Sequence, residues 1–190
     1  TYPGIRLRIS NHSTPEAIQA VKSGTADLAV VSTPTDIHDP LRAQLLMKAS
    51  DILVGNRQYD FLTKEPVHLA EIARYPLICL GRHTTTYEFY YKFYLEHGLI
   101  LSPDTEVATI DQIPPMILHN LGIGFLPEKL ARDAISQGKV VKIPLIEQIP
   151  QRDICLIEDR SAPLSIAANA LKQMLLSCVG QSQSQDLSSI

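Results

Sequence analysis

Three hydroxyl-rich segments hold the residues most able to do chemistry. In Asn11-His12-Ser13-Thr14-Pro15-Glu16, proline suits the first position of a helix, which makes Thr14 its N-cap. Ser13-x-x-Glu16 instead fits a capping box. Either way the unpaired N–H groups and positive dipole end of a helix start attract anions, and hydroxyls beside them fix orientation. Arg82-His83-Thr84-Thr85-Thr86 repeats the arrangement, with Thr85-x-x-Glu88 as a second capping box and a helix expected from Tyr87. One hydroxyl suffices for a cap, so three in a row beside Arg82 and His83 exceed that need. Ser32 and Thr33 follow an apolar run that ends at Val31. A plain turn explains them, and so does contact with a ligand at the carboxyl end of a strand.

Other chemistry finds no residues to stand on. Gly122-Ile123-Gly124 lacks the full glycine fingerprint and leads into a strand, so it reads as a helix stop with close backbone approach between lobes. His68, His97 and His119 are isolated and show no metal-ligand spacing. There is no nucleophile elbow, P-loop or plausible carboxylate pair. The reading is therefore not an enzyme, with no cofactor and no metal. Cys79, Cys155 and Cys178 are odd in number and scattered, which fits buried thiols in a reducing compartment.

The elements that must hold these segments alternate strand and helix. Asp27–Val31, Asp51–Gly55 and Pro76–Leu80 are nearly all apolar, as strands covered on both faces must be. Ile5–Ile9 alternates apolar and basic residues, the pattern of a half-exposed strand. Helices are expected over Glu16–Ser23, Val67–Arg74, Tyr87–His97, Met116–Leu121, Glu128–Ser136 and Leu164–Leu176, with glycines closing several. Further strands are expected at Glu106–Thr109, Ile123–Leu126, Val140–Ile143 and Ile154–Ile157. The Gln/Ser-rich end offers little to bury and reads as disordered. At 190 residues the chain is one large domain or two lobes. With 17 Lys+Arg against 20 Asp+Glu, a net charge of -3 gives no footprint for nucleic acid. No apolar run reaches membrane-spanning length, and Thr1-Tyr2-Pro3-Gly4 lacks a signal-peptide profile.

Four segments together resemble the effector-binding domain of LysR-type transcriptional regulators. They are Tyr2–Ile9, Val21–Val30 with its helix-Gly-x-x-Asp-strand order, Pro66–Ile72 leading to Tyr75-Pro76-Leu77-Ile78, and Leu121–Pro127. In order, they cover about residues 2–178. The resemblance implies an α/β, type II periplasmic-binding-protein-like fold: two Rossmann-like lobes joined by two crossing strands. Residues 1–54 and 151–178 would form lobe I, 55–150 lobe II, and 179–190 a disordered tail. Crossings are expected near Val54-Gly55-Asn56 and Ile149–Asp153. The strand and helix that open the family's domain have no counterpart before Tyr2.

The resemblance also implies a function: sensing a small anionic metabolite in the cleft between lobes, on behalf of a DNA-binding regulator. Ligand contacts are expected from Ser13, Thr14, Ser32 and Thr33 of lobe I and from Arg82, His83, Thr84, Thr85 and Thr86 of lobe II. Arg82 is the expected cation. DNA would be bound only through a winged helix-turn-helix that this chain lacks. The parent protein is expected to be a cytoplasmic homo-oligomer, with pairing here weakened or altered and running through Glu128–Ser136 and the aromatic helix near Tyr90. The alternative is a solute-binding protein of the same fold without a DNA-binding partner domain.

Overall fold

The structure is a computed structural model that describes residues 4–186. The chain divides into two compact units. Unit 1 takes residues 1–48 and 153–190, and unit 2 takes 49–152. The first passage therefore falls between Lys48 and Ala49 rather than near Val54, where the sequence places it. The reason is pairing: Asp51–Asn56 is hydrogen-bonded on both sides inside the sheet of unit 2. The chain returns to unit 1 between Arg152 and Asp153.

Unit 2 is built on a five-stranded sheet. Its strands are β3 (Asp51–Asn56), β4 (Leu77–Leu80), β5 (Thr105–Val107), β6 (Ile123–Pro127) and β7 (Val140–Ile143), in the order β5-β4-β6-β3-β7. β4 runs parallel to β5 and β6, whereas β3 is antiparallel to β6 and β7. Every residue of β3 and β4 is buried, which is why both segments are apolar almost throughout. One face packs against α3 (Thr85–Glu96), which buries Tyr87, Tyr90, Phe93 and Tyr94. The other packs against α4 (Ile113–Leu118) and α5 (Glu128–Ser136) through Ile113, Ile117 and Ala131. A short α2 (Leu69–Ile72) joins the α3 side.

The aromatic helix thus spends most of its rings on the core. Tyr90 stacks on Phe125 at 4.6 Å and is 2% exposed, so it is not available for the pairing expected near it. Tyr91 and Leu95 occupy the outer face instead.

Unit 1 has a three-stranded sheet ordered β1-β8-β2, from β1 (Ala29–Ser32), β2 (Leu41–Ala49) and β8 (Arg152–Asp159). Its core joins α1 (Thr14–Lys22) to the sheet through Val21, Val31, Leu41, Cys155 and Ile157. Two expectations change here. Ile5–Ile9 forms no strand, and Ile5, Leu7 and Ile9 are exposed. Alternation marks a surface that could lie on a sheet, but a strand exists only where a neighbour accepts its hydrogen bonds, and neither sheet pairs with this segment. The closing helix α6 spans Ile166–Asp186, so the segment up to Asp186 expected to be a disordered tail continues the helix. Propagating an established helix costs far less than starting one. Residues 187–190 of that expected tail lie outside the described residues, as do Thr1–Pro3 of the first family-like segment.

Gly122 shows why Leu121–Pro127 reads as it does. Its φ is +156°, and a Cβ there would sit 2.3 Å from the Pro76 carbonyl oxygen. Ile123 N–H donates to that same oxygen at 2.9 Å. The close approach is thus inside unit 2, where β6 starts beside β4, and not between lobes as expected.

Candidate functional site

In unit 2, β4 ends at Leu80 and the chain turns through Gly81-Arg82-His83 into α3. Thr84 is the N-cap, so the helix begins at Thr85, earlier than the expected Tyr87. The Thr84 hydroxyl donates to the Gly81 carbonyl at 2.8 Å and accepts from Tyr87 N–H at 3.1 Å. It is buried and serves the turn. Glu88 does not close a capping box with Thr85, because its carboxylate pairs with Lys92 one turn later at 2.9 Å. Thr85 and Thr86 sit in the first turn, both half-buried. Among the described residues none bonds the Thr85 hydroxyl.

Arg82 and His83 are exposed on the turn itself. Arg82 Nε lies 3.2 Å from Glu106 Oε1, with its side chain 73% exposed. A solvated pair of this kind is worth little. The His83 ring rests against Gly81, where an added Cβ would approach it to 3.0 Å.

The cation packed on this helix is Arg152, which lies 66 residues from Thr86 in sequence and carries no local motif that marks it. It is buried, as is Asp51, whose side chain is fully covered. Arg152 Nη2 lies 2.6 Å from Asp51 Oδ2, and Nη1 donates to Thr86 Oγ1 at 3.1 Å. Tyr90 Oη donates to the same Asp51 oxygen at 2.5 Å. The guanidinium also lies 5.2 Å from the Phe89 ring centre and 6.0 Å from that of Tyr90. Thr86, Phe89 and Tyr90 are spaced i, i+3, i+4, so one face of α3 meets Arg152. Burial, and then the charge of Asp51, hold the Tyr90 phenol well above its ordinary pKa, which keeps it a donor.

In unit 1, Ser13 rather than Thr14 is the N-cap of α1, and Pro15 sits in the first turn. The Glu16 carboxylate accepts from Ser13 N–H at 2.9 Å and from the Ser13 hydroxyl at 2.7 Å. Of the two caps the sequence allows, the structure therefore adopts the capping box. Thr14 is half-buried at the first helical position.

Ser32 pairs in register with Ile154 and ends β1. Thr33 continues the ladder. Its N–H donates to the Asp153 carbonyl at 2.9 Å, and its hydroxyl accepts from Asp153 N–H at 2.9 Å. Thr33 is thus tied to the residue next to Arg152. Ser13, Thr14, Ser32 and Thr33 belong to unit 1, while Arg82 to Thr86 form one continuous turn and helix start in unit 2.

The histidines find local roles. His68 Nδ1 lies 3.2 Å from Glu147, and His97 Nδ1 lies 2.8 Å from the Phe93 carbonyl oxygen. Among the described residues no cluster of His, Cys, Asp or Glu could hold a metal ion, and no helix is long and apolar enough to cross a membrane.

A family model described as the LysR substrate binding domain matches residues 1–178. The HTH-type transcriptional regulator YwbI of Bacillus subtilis (strain 168) is 24% identical over 169 residues, which cover 89% of this chain and 56% of that protein. The chain spans about half the length of the curated relatives it matches. Among solved structures, the CcmR regulatory domain of Synechocystis PCC6803 in complex with 2-PG superposes with a TM-score of 0.78 at 17% identity, over 94% of this chain and 85% of that one. The effector binding domain of QuiR in complex with shikimate gives 0.75 at 17%, over 89% and 79%. These likenesses show a shared α/β, type II periplasmic-binding-protein-like fold.

Proposed function

The chain belongs to the LysR substrate-binding domain family, and on that premise we propose that it is the effector-sensing part of a DNA-binding transcriptional regulator and takes a small anionic metabolite. The observation that carries the ligand reading is the start of α3. There Thr84 satisfies the turn, while Thr85 presents a hydroxyl and the first-turn N–H groups at the carboxyl end of β4. Within unit 1, Ser13 and Thr14 at the start of α1 and Ser32 at the end of β1 are the hydroxyl-bearing candidates in this reading. Arg82 lies on the adjacent turn and brings a guanidinium to it from solvent, with the His83 ring beside it. The two liganded regulatory domains named above support the class, since each holds a small molecule.

In this reading DNA is bound by a separate domain of the whole regulator, the effector domains pair in a homo-oligomer, and the protein works in the cytoplasm without catalysing a reaction. Regulator relatives longer than this chain, whose matched segments make up 56% and 48% of their lengths, support that division of labour. Isothermal titration with a panel of small carboxylates and phosphates, shikimate included, tests it. A binder whose affinity falls about tenfold in Thr85→Val, the loss expected for one hydrogen bond to a charged group, supports the site. Equal affinity in Thr85→Val and Thr14→Val removes both helix starts from it.

A further inference from the structure

The pairing of Asp51 with Arg152 is an expensive way to fill a core. A buried ion pair gains little over apolar residues of the same volume, because desolvating both charges consumes most of their attraction. What such a pair does supply is a fixed geometry, and here the geometry falls where the chain leaves unit 2. Arg152 is the last residue of that unit, and Asp51 opens β3 just after the chain enters it.

We propose that Arg152 is a positioning residue: it seats the first two turns of α3 and links that helix start to the passage into unit 1. The inference rests on reading the α3 start as an effector contact, and it names the regulation of that site. Each arm of the guanidinium has a separate task. Nη2 is fixed by Asp51, which Tyr90 also grips from the second turn of α3. Nη1 holds the Thr86 hydroxyl in the first turn. The next residue, Asp153, has its N–H and its carbonyl both bonded to Thr33. A shift of the α3 start therefore reaches Arg152 through Thr86, and Asp153 and Thr33 through one peptide bond. Lysine could keep the charge beside Asp51 but has no planar fork to hold Thr86 at the same time.

Amide hydrogen exchange of the full chain without ligand, followed by NMR, tests this. The Asp153 and Thr33 N–H groups report the passage, and Leu53 and Val54 in β3 report global opening. Thr86→Val is expected to speed exchange at Asp153 and Thr33 about tenfold while leaving Leu53 and Val54 near their original rates. Thr86→Ser, which keeps the hydroxyl, should restore protection, and Arg152→Lys should reproduce the loss. Unchanged exchange at Asp153 and Thr33 in both Thr86→Val and Arg152→Lys overturns the proposal, as does an equal rise at all four amides in Thr86→Val. A titration with inorganic phosphate, followed at the Thr85 amide, tests the effector reading separately. If phosphate and the carboxylate panel leave that amide unmoved while Thr86→Val still loosens Asp153, the effector reading fails and the seat stands.

Discussion

The carboxylate of Asp51 lies 2.6 Å from the guanidinium of Arg152, and these two residues open the strands that lead into unit 2 and out of it. Two charges with side chains 0% and 6% exposed are tolerable only as a pair.

Removing one member should therefore cost far more than removing both. Arg152→Met alone is expected to lower unfolding stability by about 3–5 kcal/mol, because Asp51 is left charged and buried. Asp51→Leu with Arg152→Met should recover most of that loss. Urea denaturation of the two singles and the double gives the coupling directly. A double variant as unstable as the sum of the singles would show that the charges do not act as a pair.

Glu147 provides a pH dependence. Burial pushes its carboxyl up, but the Leu69 N–H at 2.8 Å, its own backbone N–H and the bond to His68 outweigh burial, and its pKa is lowered. A carboxyl with a depressed folded pKa gives stability that is complete above its unfolded value, near 4.5, and lost as pH falls through the folded one. Glu147→Gln should thus be less stable than the parent by about 1–2 kcal/mol at pH 7. The gap should narrow below pH 4.5. A gap that is constant from pH 7 to pH 3 would mean the carboxylate is not the stabilising form.

Cys79 sits inside β4 at 3% exposure, and burial pushes its thiol up to about 12. Only the thiolate alkylates at a useful rate. At pH 8 iodoacetamide should leave the Cys79 peptide unmodified in the folded protein and label it once urea unfolds the chain. Peptide mass spectrometry reads this, and rapid labelling of the native protein would place Cys79 in an accessible setting.

Gly122 and Gly98 separate crowding from backbone strain. Both have positive φ, but a Cβ at Gly98 meets nothing within 4 Å, whereas one at Gly122 strikes the Pro76 carbonyl. Gly98→Ala should cost about 1 kcal/mol from the left-handed backbone alone. Gly122→Ala should cost at least about 3 kcal/mol, since the β4–β6 pairing must open to admit it. Matching melting temperatures for the two variants would deny the close approach.

What local sequence dictates is clear where a period or a cap suffices. α5 at Glu128–Ser136 and β7 at Val140–Ile143 have the bounds their residue patterns predict, because a helix stripe and a strand bounded by turns are properties of neighbouring residues. The Ser13–Glu16 box and the hydroxyl run Thr84–Thr86 were legible for the same reason, since a cap is satisfied within one turn. Long-range chemistry was not legible. Asp51 and Arg152 each read as an ordinary polar residue at the edge of an apolar strand, and nothing local says that folding brings them to one helix face. That pairing is set by the register of the sheet and by how α3 lies on it. Arg82, adjacent to the threonines in sequence, turns to Glu106 in solvent, while the distant Arg152 bonds Thr86. Ile5–Ile9 shows the opposite limit: its alternation is genuine, but a strand is defined by its partner, and partnership belongs to the folded sheet rather than to the segment.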